Sequence, residues 1–344
     1  MDVNENINEI EFYKQKLKES KAKLYESEWK DKSIKILDQK IEENWSMYHA
    51  DNVDALKKIK SNSIHYTLTS VPFSSFFTYS ASIRDMGNST DQEFYNHFNF
   101  FVPELYRCMM PGRLVSLHLM NLPMTITSDG VMGIKDFRGN MIKVFENYGF
   151  IFHSEVCIWK DPLVQATRTK TLSLAHKQIS KDSSRCGQGF PDYIVTMRKP
   201  GVNPERISHG RGFECYVGDR EEPKAEKNDA ANKNKYSHYV WQRYASPVWF
   251  DINQTRTLNV RLARENNDER HVCPMQLDTV ARCLHLWTNK GDIILDPFTG
   301  IGSTGDGALR TGRKFIGVEL KKSYYDISCK NLKQACGNRL KGFF

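Results

Sequence analysis

Two stretches of the sequence carry residues whose types and spacing could do chemistry. The first is Thr69-Ser70-Val71-Pro72-Phe73, which closes the run Ile64-His65-Tyr66-Thr67-Leu68-Thr69. The nitrogen of an aromatic amine is a poor nucleophile because its lone pair is delocalised into the ring. A hydroxyl and a backbone carbonyl accepting its hydrogens favour a tetrahedral, reactive nitrogen, while an aromatic face holds the heterocycle. Ser70, the carbonyl of Val71 and Phe73 could supply these elements, with Pro72 shaping the turn. Taken alone, a short S-x-P-F string is better read as an ordinary strand-end turn, and its pairing with a second motif is what changes that reading.

The second stretch runs Gly291-Asp292-Ile293-Ile294-Leu295-Asp296-Pro297-Phe298-Thr299-Gly300-Ile301-Gly302-Ser303-Thr304-Gly305, a buried strand entering a glycine turn and then a helix. Gly300, Gly302 and Gly305 satisfy G-x-G-x-x-G, which lets backbone approach a ligand at the carboxyl end of a sheet. Glu319, at the end of the next strand, is placed to bind ribose hydroxyls. These features indicate a nucleoside-containing cofactor. A nicotinamide dinucleotide site has the same outline, but two features count against it. Asp296 puts a carboxylate at the strand tip, suited to the ammonium group of a methionine moiety and repulsive toward a pyrophosphate. The chain after Glu319 is also too short to complete a dinucleotide fold, so most of the sheet is expected from earlier strands. A glycine turn of structural origin is the remaining alternative.

Both motifs need a parallel sheet to present them. Beyond the strand at 64–69, the pattern predicts a helix at 91–109 and a strand Leu114 to Leu117 after the turn Met110-Pro111-Gly112. A helix around Lys135 to Asn147 and a strand Phe150 to Trp159 follow. The rhythm returns as a helix at 277–287, a strand Asp292 to Leu295, a helix at about 304–311, a strand Lys314 to Glu319 and a helix at 323–335. Ahead of the first strand, Trp45 opens a stretch with the polar turn His49-Ala50-Asp51-Asn52 and a short helix through Leu56 and Ile59. Residues 1–44 read as an N-terminal amphipathic helical extension, with Ile10, Tyr13, Leu17 and Leu24, then Ile34, Leu37 and Ile41, at helical spacing. It could pack on the main domain, which is favoured, pair with a second copy as a homodimer, or touch DNA.

Residues 160–245 differ from the rest. They are polar and broken by glycines, with a confident strand only at Tyr193 to Met197 and a loop near 221–235 expected to be mobile. Within 160–199, eight basic residues (Lys160, Arg168, Lys170, Lys177, Lys181, Arg185, Arg198, Lys199) stand against three acids, a local excess of +5. That stretch could face phosphates or simply be a solvated surface. At its far end Tyr236, Tyr239, Trp241 and Tyr244 could stack on bases or form a small satellite core.

A net charge of +8 over 344 residues permits a polyanionic partner without demanding one. The eight cysteines include no C-x-x-C pair and no zinc spacing, so they read as reduced thiols of a cytoplasmic protein with no metal. The polar N-terminus resembles no signal peptide, and no apolar run would span a membrane.

Taken together, the chain resembles the β-class of DNA amino-methyltransferases, which methylate adenine N6 or cytosine N4. That family carries a D/N/S-P-P-Y/F/W turn first, a target-recognition region in the middle and a D-P-F-x-G-x-G-T loop last. Here these look like Ser70 to Phe73, residues 160–245 and Asp296 to Thr304. The resemblance implies an α/β, Rossmann-like sheet with circularly permuted motif order. Its catalytic domain would comprise 45–159 and 246–335, with an inserted target-recognition region at 160–245. It implies S-adenosyl-L-methionine as cofactor, its methionine end held by Asp296, Pro297 and the backbone around Phe298, Gly300, Gly302 and Thr304. Glu319 would bind the ribose, Asp51 the adenine edge, and Pro274, in the segment His271 to Leu277, would border the cofactor.

The substrate would be a flipped-out base in DNA, stacked on Phe73, with Arg168, Lys170, Lys177, Lys181 and Arg185 toward the DNA. Ser70 in the first position of the turn leans slightly toward cytosine. Val71 departs from the family, which has proline there; the position contributes a carbonyl, so valine is compatible but loses rigidity. A methyltransferase acting on RNA or another amine, and a weakened DNA-binding relative, stay as alternatives. No nuclease motif is visible, so the chain reads as a solitary methyltransferase or as the modification half of a system with a separate restriction nuclease.

Overall fold

The computed structural model describes residues 35–72, 91–124, 129–169, 174–221, 234–259 and 274–337. In chain order these form β1 (Ile36–Ile41), β2 (Trp45–Ala50), α1 (Asn52–Lys58), β3 (Ile64–Ser70), α2 (Asp91–Cys108), β4 (Met109–Met120), β5 (Leu122–Met124), β6 (Gly133–Lys135), α3 (Phe137–Glu146) and β7 (Ile151–Ile158). There follow α4 (Pro162–Thr169), β8 (Asp192–Arg198), α5 (Lys235–Tyr244), β9 (Val248–Trp249), α6 (Leu277–Trp287), β10 (Ile293–Asp296), α7 (Ser303–Arg310), β11 (Lys314–Glu319) and α8 (Lys322–Gly337). The strands β3, β10 and most of β4 are buried over nearly their whole length, as aliphatic and β-branched runs are when helices cover both faces.

Among the described residues, nine strands form one sheet in the order β1-β2-β11-β10-β3-β4-β8-β7-β9. The run from β2 through β4 is parallel, while β8 lies antiparallel between β4 and β7. The connection β3-α2-β4 departs to one side and β10-α7-β11 to the other. With right-handed crossovers the two helices fall on opposite faces, and the carboxyl ends of β3 and β10 flank the switch point where a doubly wound sheet binds ligands. On one face, Tyr66, Leu68, Ile294 and Phe315 pack with Val280, Leu284, Leu309 and Leu332 of α6, α7 and α8. Around α2 and α3, Phe94 meets Phe98 and Phe137, with ring centroids 4.8 and 5.5 Å apart. Each such side chain contributes roughly 1.5–3 kcal/mol when buried, so the switch point rests on a rigid frame.

Several expectations are corrected. Ile36–Ile41, expected in a helix, is a strand antiparallel to β2. Leu37 and Ile41 are 65% and 64% exposed, and pairing with the free edge of β2 overrides their helical spacing. His49 and Ala50, expected in a turn, complete β2, and Met110-Pro111-Gly112 lies inside β4, where the β3–β4 register shifts. Within 160–245, the strand expected at Tyr193 to Met197 is present as β8, an interior strand of the main sheet. The expected helices of residues 1–34, and most of the loop near 221–235, lie outside the described residues. No described helix is long and apolar enough to cross a membrane.

Candidate active site

Both motifs stand at the switch point. Asp296 ends β10 and Thr69-Ser70 ends β3; the Thr69 hydroxyl donates to Asp296 Oδ1 at 2.6 Å, joining positions 227 residues apart. The Phe298 amide donates to the same oxygen at 3.1 Å. Thr304 is buried behind them, its hydroxyl donating to the Leu68 carbonyl at 3.2 Å. Burial pushes the Asp296 carboxyl up to about 6, against the pull of its hydrogen bonds. A buried, hydrogen-bonded carboxylate of this kind gains most from a cation placed against it.

The glycine loop wraps this carboxylate. Pro297 is buried, and the Phe298 ring packs against Phe98 and Phe101 of α2 at 6.0 and 5.3 Å. Gly302, at φ +97°, begins α7, and a Cβ there would sit 2.8 Å from Ser328 Oγ, so only glycine fits. Gly300 differs: at φ +55° its added Cβ would meet nothing within 4 Å, so space for a ligand opens beside the backbone. Its amide donates to Glu319 Oε2 at 2.8 Å, and the Lys321 amide donates to Oε1 at 2.8 Å. A carboxylate at this place is the group that would accept from ribose hydroxyls.

Two flanking elements close the crevice. Directly after β2, beside β11, Asp51 caps α1 by accepting from the Val53 amide at 2.9 Å, and on β2 itself His49 Nε2 lies 2.9 Å from the Leu320 carbonyl. On the other flank α6 descends to β10, so its start, with Pro274 and Gln276, lies at the carboxyl edge. The buried oxygens Asn52 Oδ1 and Gln276 Oε1 lack partners among the described residues. The open space at Gly300, the acceptors of Glu319 and these two oxygens fit a nucleoside carrying an ammonium group.

In the catalytic turn, Val71 is buried and its amide donates to the His118 carbonyl at 3.2 Å. A proline at this position could not make that bond, so a backbone hydrogen bond replaces the rigidity of a fixed φ. Pro72 is half-buried; Phe73 lies outside the described residues, as do Lys170 and His271 to Cys273, and the side chain of Arg168 is not described. Sequence reasoning missed His118, whose Nδ1 is 3.1 Å from Ser70 Oγ.

The basic segment is also sorted. Lys177, Lys181 and Arg185 are exposed. They lie between the end of β7 and the start of β8, both at the edge that bears Ser70, so the segment leaves and re-enters there. Lys160 and Lys199 do not belong to this surface. Lys160 is buried on Asp192 at 2.5 Å, and Lys199 donates to the Tyr106 and Met109 carbonyls at 2.7 and 2.8 Å. Tyr236 and Tyr244 form a satellite core with Val240, whereas Tyr239 and Trp241 are exposed.

A family model described as DNA methylase (N6_N4_Mtase) matches residues 64–330. The chain belongs to this DNA methylase family. It is 23% identical over 226 residues to the Type II methyltransferase M.MjaI of Methanocaldococcus jannaschii, covering 65% of this chain and 62% of that protein. It is 34% identical over 103 residues to the Type II methyltransferase M.BglI of Bacillus subtilis, covering 30% and 26%. The matched stretch is thus less than two thirds of either relative. In fold, the methylase is similar to the cytosine-N4-specific PvuII DNA methyltransferase, with TM-score 0.55, 15% identity and coverage of 87% and 94%. It is similar too to a DNA modification methylase of Thermus thermophilus solved with S-adenosyl-L-methionine, with TM-score 0.55, 19% identity and coverage of 84% and 94%.

Proposed function

We propose that the chain is an S-adenosyl-L-methionine-dependent DNA methyltransferase that methylates the exocyclic amino group of a flipped-out base, cytosine N4 or adenine N6. The observation that carries this reading is the Thr69–Asp296 hydrogen bond at 2.6 Å, which ties the end of the strand that leads into the catalytic turn to the carboxylate of the cofactor loop. The cofactor supplies an electrophilic methyl group. Asp296 receives its ammonium group, the backbone from Pro297 through Gly302 lines the methionine end, and Thr304 supports Asp296 from behind. Glu319 accepts from the ribose, and Asp51 and Pro274 border the adenine. Ser70 and the Val71 carbonyl accept from the target amine, and Phe73 stacks on the base.

A base stacked in a duplex cannot reach a strand tip, so the target must flip out. Lys177, Lys181 and Arg185, with Arg168 and Lys170, would hold the flanking phosphates. Ser70 as the first residue of the turn favours cytosine. Paired with a nuclease of the same specificity, the protein would serve as the modification half of such a system.

Nucleoside mass spectrometry of DNA from cells expressing the protein tests this reading. N4-methylcytosine or N6-methyladenine is expected, and Ser70→Ala should remove most of it. Tritiated methyl groups appearing in RNA instead of DNA would overturn it.

A further inference from the structure

Ser70, His118 and Asp192 sit on the neighbouring strands β3, β4 and β8, and Lys160 follows β7, the next strand over. Ser70 pairs with His118 in the β3–β4 register, and Asp192 pairs with Met120 two residues further along β4. Their side chains form one row running from the catalytic turn across the sheet. Ser70 Oγ lies 3.1 Å from His118 Nδ1, His118 Nε2 lies 2.9 Å from Asp192 Oδ2, and Lys160 Nζ lies 2.5 Å from that same oxygen. His118, Asp192 and Lys160 are buried, while Ser70 is half-buried at the crevice.

The charge state of Asp192 sets the direction of every proton in the row. Burial alone would push its carboxyl up, but Lys160 and His118 outweigh this and hold it at about 2. An ionised carboxylate only accepts hydrogen bonds, so His118 must carry its proton on Nε2. In the neutral imidazole, Nδ1 then bears a lone pair, and the Ser70 hydroxyl must donate to it. With its single hydrogen committed to His118, Ser70 has only lone pairs to offer the crevice.

We infer that His118, oriented by Asp192 and Lys160, is a positioning residue that makes Ser70 an obligate hydrogen-bond acceptor for the target amino group and takes up its proton. This inference rests on the methyltransferase reading above. Methyl transfer forms the N–C bond from the nitrogen lone pair and returns the C–S pair to sulfur, leaving one proton too many on the nitrogen. That proton passes to Ser70 Oγ as Ser70's own proton moves to His118 Nδ1. The imidazolium so formed faces the Asp192 carboxylate, and solvent removes its extra proton before the next turnover. Removing His118 would free the Ser70 hydrogen to point at the amine, where donor would meet donor.

The tautomer can be read without cofactor or DNA. In imidazole ¹⁵N spectra of the free protein, His118 should show a protonated Nε2 and an unprotonated Nδ1, and Asp192→Asn should lose that single-tautomer pattern. A proton on Nδ1 in the unsubstituted neutral ring would overturn the inference whatever the variants do. The role is read by single-turnover methyl transfer. His118→Ala should slow it about a hundredfold, at the low end of what proton-transfer groups contribute, with cofactor Kd unchanged. In a Ser70→Ala background the same substitution should cost nothing further, because His118 acts through that hydroxyl. Additive losses, or a His118→Ala rate equal to the unsubstituted protein, would overturn the role alone. A wild-type protein that methylates no DNA would overturn the functional reading and this role together.

Discussion

At the scale of single residues, Asp296 shows stability and binding opposed in one side chain. Its carboxyl is 3% exposed and sits at about 6, above the unfolded value near 4. The folded state therefore holds this proton more tightly than the unfolded chain does. The resulting stability is present below about pH 4 and is lost as pH rises through about 6, leaving a cost of roughly 3 kcal/mol at neutral pH. Asp296→Asn keeps the shape and the acceptor for Thr69 while removing the charge. The free variant should resist urea better than the unsubstituted protein at pH 7.5, with midpoints converging below about pH 4. The same substitution should weaken S-adenosyl-L-methionine binding roughly tenfold to a hundredfold, the worth of a hydrogen bond between charged groups, as titration calorimetry would show. For the unsubstituted protein, affinity should fall as pH drops below about 6, up to the tenfold to hundredfold loss of the neutral variant, and level off above it, since a protonated carboxyl cannot balance an ammonium group. A flat affinity profile between pH 5 and 7 would mean that the ammonium is held elsewhere.

At the scale of elements, the proposed DNA contacts fall in the segment between β7 and β8, which leaves and re-enters the sheet at the edge that bears Ser70. Replacing Lys177, Lys181 and Arg185 together by alanine should weaken binding to any DNA sequence and lower the slope of log affinity against log salt by up to about 3. Cofactor affinity should not change, because these exposed residues lie in the β7–β8 connection and not in the glycine loop. A salt titration by fluorescence anisotropy decides it. Which elements can be read from the sequence follows from burial. The helix over 277–287 and the strand 314–319 fall where expected because their periodicity is imposed by a core on a known side. The edge strand β1 is unreadable for the opposite reason, since its apolar Leu37 and Ile41 point at solvent and its partner is another strand. The same limit applies at the site. The glycine loop and the catalytic turn are contiguous and can be read as motifs. The Ser70–His118–Asp192–Lys160 row is assembled by strand order, with His118 and Asp192 74 residues apart. Lys160 reads as part of a phosphate-facing surface because sequence alone does not reveal its buried partner.

At the scale of the whole molecule, the two edges of the sheet divide the work. The carboxyl edge holds Ser70, Asp296 and Glu319, the groups proposed to meet cofactor and substrate. At the amino edge, His65, Glu205 and Asp292 bring ligand-type atoms within 4.8 Å of one another, a grouping that could suggest a metal. The guanidinium of Arg113 already supplies the cation: wholly buried, it lies 3.0 Å from Asp292 and 3.7 Å from Glu205. Asp292 also accepts from the Asn289 amide at 2.9 Å, which ties the turn ahead of β10 to β4. This cluster should therefore hold the sheet together and take no part in chemistry. Arg113→Ala, which leaves Asp292 buried without its partner, should cost about 3–5 kcal/mol in urea denaturation, whereas Arg113→Met, which refills the volume, should still strand that charge and recover only part of the loss. Arg113→Met paired with Asp292→Asn should recover more, because the buried charge is then gone. At temperatures where each variant is folded, the single-turnover rate of methyl transfer should match the unsubstituted protein. Loss of rate in a folded Arg113 variant would show that the two edges are coupled through β4, the strand that carries Arg113 at one end and His118 toward the other.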